Sequence, residues 1–179
     1  MVYGDGFANA DDVVGHELTH GITEYTSNLL YLNQSGAINE SLSDVFGELL
    51  DLTNGTGNDG PSVRWDVGED LPVIGAIRDM ADPGRFGDPD RRGSPNYYNG
   101  ADDSGGVHTN SGVNNKAAAL LVDGGTFNGQ TITALGITKT ARIYYETETT
   151  LLGSGSGYTD LGTFLPRACT NLILSLIHI

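Results

Sequence analysis

The segment HELTH, residues 16–20, constrains this chain more than any other feature of it. On an α-helix, residues four apart lie on one face, so His16 and His20 aim their imidazoles at one point. Glu17 lies about 100° further round. It is badly placed to ligate the same ion and well placed to reach a water beside it. Two imidazoles do not complete a zinc site: a third protein ligand and an open position are needed for catalysis. The fold must therefore bring a second element against the first. The segment GAINESLSD, residues 36–44, offers one. Glu40 is its candidate ligand, and Asn39 and Asp44 are candidates to accept hydrogen bonds from the other imidazole nitrogens.

Hydrophobic periodicity predicts a mainly α chain with little strand. Residues 1–8 read as the end of a strand and a Gly/Asp turn. A first helix is expected from a cap at Asn9, Asp11 or Asp12 to about Asn28, largely buried, with Val13, Val14, Leu18 and Ile22 as its apolar positions. A second runs from about Gly36 to Leu52, where Ile38, Leu42, Val45, Phe46, Leu49 and Leu50 form an apolar face. Residues 53–112 are rich in Gly, Pro, Asp and Asn, and a connection this long is expected to be functional or ion-bound. Further helices are expected over 111–122, over 137–148 and from Thr159 onward.

The 23 acidic residues outnumber the 9 basic ones, for a net charge of −14. That balance argues against nucleic acid as a partner, whose phosphates attract Lys and Arg. Clustered carboxylates suit a hard cation such as calcium. No apolar run reaches the roughly 18 residues of a membrane span. Cys169 is the only cysteine, so no internal disulfide forms. The start, MVYGDGFANADD, has neither the basic nor the apolar region of a signal peptide, and Met1 reads as an internal methionine at the edge of a fragment. The apolar end NLILSLIHI, residues 171–179, stops without a cap. It is set apart as a doubtful tail that resembles translated adapter sequence, and His178 within it is given no role.

HELTH followed by GAINESLSD, within VVGHELTHGITEYTSNLLYLNQSGAINESLSDVFG, resembles the thermolysin family of zinc metalloendopeptidases. The resemblance continues through GEDLP, IRDMADPGRFGDPD and GGVHTNSGVNNKAA. It implies that His16, His20 and Glu40 hold a catalytic zinc ion. It implies that Glu17 takes the proton of the attacking water, and that Tyr31 and His108 donate to the oxyanion while Asp103 orients His108. It further implies that Arg78 grips a substrate carbonyl and that Asn39 and Asp44 brace the histidines. Cleavage on the amino side of apolar residues follows from the family, with Val13, Val67 and Ile77 as pocket linings.

Asp12, Asp51, Asp66 and Glu69 lie in segments that resemble the family's calcium-binding ones. The sequence departs from the pattern there. NGTGNDGPSVR is a longer connection, Arg64 stands where an acid is expected, and Asp59 is placed to compensate. One calcium ion is therefore expected rather than a double site. By resemblance, the chain is the helical C-terminal domain of a two-domain fold, with its N-terminal β-rich domain largely absent. Residues 1–8 are then a remnant of that domain, and 9–170 a truncated zinc-binding catalytic domain. The resemblance also implies secretion, protein or peptide substrates, and synthesis with a propeptide. Two other readings stay open: a metal-binding fragment without turnover, and a calcium-stabilised binding module with an incidental histidine pair.

Overall fold

The computed structural model of the protein describes residues 6–177. Two antiparallel helices organise it: α1 (Asp11–Tyr25) and α2 (Asn33–Asn54). The acids Asp11 and Asp12 sit in the first turn of α1, where carboxylates suit the positive end of the helix dipole. The expected side-chain cap is absent, and Ala10 holds the capping position. Asp12 is instead inside the helix, its carboxylate accepting from the amides of Val13 and Gly68. α1 ends three residues before the expected Asn28, where Asn28 takes a left-handed φ of 50°. α2 starts earlier than expected and closes on Gly55, whose φ of 74° is the left-handed conformation common after a helix C-terminus.

α1 and α2 approach closely through facing glycines. A Cβ on Gly47 would stand 2.4 Å from the Asp12 carbonyl oxygen, and one on Gly15 would stand 3.0 Å from the Gly47 Cα. This contact turns the polar side of α1 inward. Asp12, Gly15, His16, Thr19 and Thr23 are buried, whereas Leu18 and Ile22 are 52% and 44% exposed. That reverses the expectation that Leu18 and Ile22 would lie in the core. α2 sends Ile38, Leu42, Val45 and Leu49 into the main core, against Trp65, Met80, Val122, Tyr144 and Leu161. Leu50, expected on the same face, is exposed.

The long connection is structured. β1 (Asp66–Val67) pairs antiparallel with β2 (Arg78–Asp79), and a 3-10 turn follows at Pro83–Phe86. α3 (Asp102–Asn110) opens with a left-handed turn in which Asp103, Ser104, Gly105 and Gly106 all have positive φ. α4 (Gly112–Asp123) leads to a small hairpin of β3 (Gly125–Phe127) and β4 (Gln130–Ile132). α5 (Ile137–Glu146) widens into a π turn at Thr147–Leu151, and α6 (Tyr158–Ile177) carries Pro166 in its interior. The described part of the presumed tail thus continues α6. Of the expected N-terminal strand, residues 1–5 lie outside the described residues, and Phe7–Asn9 form a 3-10 turn. His178 also lies outside them.

Replacing Gly47 by alanine tests the close approach. Alanine favours an exposed helix over glycine by about 1 kcal/mol, so propensity alone predicts a gain. Overpacking against the α1 backbone predicts a net loss of about 1–3 kcal/mol in urea unfolding. Stability at or above that of the parent would show that the helices separate freely.

Candidate metal centre

Near the middle of the α1–α2 contact, His16, His20 and Glu40 bring their ligand atoms within 4.8 Å of one another. The two Nε2 atoms are 3.0 Å apart, and each lies 3.4 Å from a Glu40 carboxylate oxygen. The far side of each ring is fixed. His16 Nδ1 is 2.8 Å from Asp44 Oδ1, and His20 Nδ1 is 2.8 Å from Asn39 Oδ1. Both partners are acceptors, so both Nδ1 atoms carry the proton, and each ring, when neutral, turns its Nε2 lone pair toward the other. Glu40 Oε2 is buried without a hydrogen-bond donor.

Two lone pairs and an orphaned carboxylate oxygen around one point lack positive charge, and the residues fit a cation. The N₂O set of imidazoles and carboxylate is one that zinc takes. The electrostatics of the site carry the same deficit. Burial alone would lower the His16 pKa, but the Asp44 and Glu40 carboxylates outweigh it and push it up to about 9. Burial opposes ionisation of Glu40 as well, yet His16 and His108 hold its pKa below the usual value.

Asp44, expected behind His16, is held from a second side by Arg78. Nε and Nη2 of Arg78 reach its two oxygens at 2.8 and 2.6 Å. Burial would raise the Asp44 pKa, and the Arg78 charge together with His16 drives it far below the carboxylate range instead. Two donors of Arg78 are thus committed to Asp44, which leaves Nη1 as the part of the guanidinium free of that pairing.

Tyr31 and His108 stand on the outer side of the centre. Tyr31 Oη donates to Glu40 Oε1 and lies 3.2 Å from His108 Nε2. Burial, then Glu40, raises the Tyr31 pKa, so its hydroxyl keeps its proton. Asp103 grips His108 twice, accepting from its amide at 3.0 Å and lying 2.7 Å from its Nδ1. The left-handed turn that opens α3 makes this double grip possible. His16, Glu17, His20, Tyr31, Glu40 and His108 all line one cavity of about 500 Å³.

Other expected site residues lie elsewhere. Val67 is buried in the main core, and Val13 belongs to a small cluster with Ala10 and Leu71 against which Ile77 packs. None of the three lines the cavity beside the histidines, because the β1–β2 pairing and the α1 start turn them inward. Asp12, Asp51 and Glu69 do join carboxylate clusters: Asp12 with Glu48 and Glu69, and Asp51 with Asp59 and Glu69. Asp66 is in neither, because the Arg85 guanidinium pairs with it at 2.6 Å. Arg64, in turn, pairs with Asp123 on the surface.

Glu48 is the carboxylate that the sequence reading missed. It is 1% exposed, and its Oε1 has no donor. Burial, then Asp12, Glu69 and Asp51, pushes its pKa well up, and Glu69 is raised to about 7 first by burial and then by Asp12. The available signal was spacing. Glu40, Asp44, Glu48 and Asp51 fall at intervals of four, four and three, a single stripe along α2.

Residues 27–175 match the family model described as the thermolysin metallopeptidase, alpha-helical domain. The chain is 49% identical over 176 residues to a zinc metalloproteinase of Renibacterium salmoninarum, covering 95% of this chain and 32% of that protein. It is 43% identical over 183 residues to a thermolysin of Alicyclobacillus acidocaldarius subsp. acidocaldarius, covering 96% of this chain and 32% of the relative. The precursor of protealysin, a metalloproteinase from Serratia proteamaculans, superposes with a TM-score of 0.72 at 30% identity. That match covers 94% of this chain and 55% of the other. The chain thus spans about a third of the length of the curated relatives it matches.

Asp44→Asn removes the charge between His16 and Arg78 and leaves a buried guanidinium unpaired. Breaking one side of a buried pair costs about 3–5 kcal/mol, and urea unfolding without added metal should show a loss of that size. A loss under about 1 kcal/mol, the scale of an exposed pair, would mean that solvent screens Arg78.

Proposed function

The chain belongs to the thermolysin family of metallopeptidases, and from that premise we propose that it carries the catalytic centre of a zinc-dependent endopeptidase. One observation carries this reading. The facing Nε2 lone pairs of His16 and His20 and the orphaned Glu40 oxygen share a cavity with Glu17, Tyr31 and His108.

Zinc, when bound, supplies Lewis acidity, polarising a carbonyl and lowering the pKa of a water toward 7. The chain's own groups do the rest. Glu17 faces the cavity one residue beyond His16 and is the base that takes the proton of the attacking water and passes it to the leaving amine. His108, fixed through Asp103, presents Nε2 as a donor to the oxyanion, and the Tyr31 hydroxyl turns from Glu40 to give the second. Donors of this kind contribute about 3–4 kcal/mol each. Nη1 of Arg78 remains for a substrate carbonyl.

The substrates are proteins or peptides, cut on the amino side of apolar residues. That preference rests on the family resemblance, since Val13, Val67 and Ile77 do not line the cavity. Secretion, and synthesis with a propeptide, belong to the same proposal. Among the described residues no helix is long and apolar enough to cross a membrane.

A second ion belongs to the carboxylate clusters. Asp12, Glu48, Asp51, Asp59 and Glu69 present oxygens only, the ligand type calcium takes, and four of those oxygens are buried without donors.

A second reading, metal binding without turnover, draws on the Tyr31 hydroxyl, which occupies Glu40 instead of a substrate position. Casein hydrolysis by the chain with zinc and calcium separates the two. Glu17→Gln should keep zinc and lose about 100-fold or more in rate, and His16→Ala should lose zinc. Zinc uptake with no hydrolysis by the parent would favour the second reading.

Calcium is tested separately by heat. An ion at 100 times its Kd adds about 2.7 kcal/mol, so chelation should lower the unfolding midpoint of the parent. Glu48→Gln should shrink that calcium-dependent difference. An equal difference in parent and variant would remove Glu48 from the site.

A further inference from the structure

A line of buried polar groups runs from α5 to the back of the metal centre. Tyr144 Oη donates to Asn114 Oδ1 at 2.9 Å, and Asn114 Nδ2 donates to Ser41 Oγ at 2.8 Å. Ser41 Oγ donates to Asn115 Oδ1 at 2.5 Å, and Asn115 Nδ2 donates to Asp44 Oδ2 at 2.8 Å. All five residues are buried to 2% exposure or less.

The direction of the line is set at its end. An ionised Asp44 accepts and never donates, so Asn115 must turn its NH₂ toward it. The Asn115 carbonyl then faces Ser41, which must donate, and so must accept from Asn114. The amide oxygen of Asn114 is left for the Tyr144 hydroxyl. Each group fixes the next, and every dipole points at Asp44.

Asp44 therefore receives four donors. Oδ1 takes His16 Nδ1 and Arg78 Nη2, and Oδ2 takes Arg78 Nε and Asn115 Nδ2. Arg78 binds both oxygens, so carboxylate and guanidinium are free to tilt together as a unit. Asn115 comes from α4, a different element from the β2 strand of Arg78, and it pins that unit.

We propose that Asn115 is a positioning residue of the metal centre. Its amide, oriented through Ser41, Asn114 and Tyr144, holds the Asp44 carboxylate at the tilt in which Oδ1 receives the His16 Nδ1 proton. His16 then presents Nε2 toward His20 and Glu40. This inference rests on the reading of those three residues as metal ligands.

The test uses the whole 179-residue chain. Asn115→Leu keeps the volume and removes the donor. Zinc affinity is measured by competition with a chromogenic chelator, and the geometry of the centre by the visible absorption of the cobalt(II) form. Groups that orient metal ligands contribute 10–100-fold to affinity, so Asn115→Leu should bind zinc about tenfold more weakly. Its cobalt bands should shift, with an unchanged far-ultraviolet circular dichroism spectrum.

Parent affinity and parent cobalt bands in a folded Asn115→Leu would overturn the proposal. If that variant does not fold, Ser41→Ala is read by the same two measurements. It leaves Asn115 in place but frees its amide to flip, and a loss of about threefold is expected. No loss and no band shift would again overturn the proposal. A parent chain that takes up neither zinc nor cobalt would refute the metal-site reading itself and this inference with it. A parent that binds both, beside variants that match it, would refute this inference alone.

Discussion

Four carboxylates buried in a row on one helix are the constraint that the rest of the structure answers. Glu40, Asp44, Glu48 and Asp51 lie along α2, each 3% exposed or less. Burying an ionised carboxylate without a counter-charge costs several kcal/mol, so each must find a cation or take a proton. Asp44 has its cation in the chain, and that cation sets the position of β2, which carries Arg78 to it. Glu40 has two imidazoles whose outer nitrogens are already protonated toward other acceptors. Glu48 and Asp51 have chiefly more carboxylates around them, with the Arg64 charge near enough to act on Glu48. Glu148 is the contrast. It is equally buried, burial raises its pKa, and the Thr23 hydroxyl reaches it at 2.6 Å. One raised carboxyl can stay neutral beside a hydroxyl, whereas Asp12, Glu48, Asp51, Asp59 and Glu69 crowd into two clusters that share Glu69.

The same stripe explains the inside-out character of α1. To face carboxylates, α1 presents Asp12, His16 and His20, and it comes close enough to do so because Gly15 and Gly47 let the two backbones nearly touch. A helix with its polar side inward has to put its apolar side somewhere. Leu18 and Ile22 therefore stand outward beside Leu50 and Tyr145, around a cavity of about 280 Å³. Periodicity reads these leucines and isoleucines as core because burial of apolar area is the usual driving force. In this helix the polar contacts with α2 decide which face turns in.

What the sequence made legible follows from how local each signal is. The helices of α1, α2, α4 and α5 announce themselves through spacing, and HELTH with GAINESLSD places the three converging side chains. Boundaries moved by a few residues where a turn, not a pattern, decided them, as at Asn28. Glu48 was hidden because an acid between Val45 and Leu49 looks like a solvated interruption of an apolar face. Only its register with Asp44 and Asp51 marks it as buried. Spacing did not separate Asp66 and the apolar trio Val13, Val67 and Ile77 from the residues that line the cavity. Arg85 pairs with the first, Val67 is buried in the main core on β1, and Val13 and Ile77 pack in or against the small cluster at the start of α1. The Asn114, Asn115 and Ser41 contacts join positions more than seventy apart in the chain, beyond the reach of any periodicity.

The candidate centre is divided between buried groups and half-exposed ones. His16 and Glu40 are buried on helices, and His16 is oriented by a partner that is itself fully bonded. Candidate ligands pre-set in this way would lose little entropy to an arriving ion. Tyr31 and His108 are about half exposed, on a connection and beside a left-handed turn. Four successive positive φ values are costly for Asp103 and Ser104, at about 1–3 kcal/mol per strained residue. Asp103 offsets that cost by bonding both the amide and the ring of His108. The strained turn therefore holds one imidazole beside the candidate ligand Glu40 while keeping it on the solvent side. Under the proposed reading, a donor to a charge that exists only during reaction needs that placement: fixed in direction, yet on the cavity side.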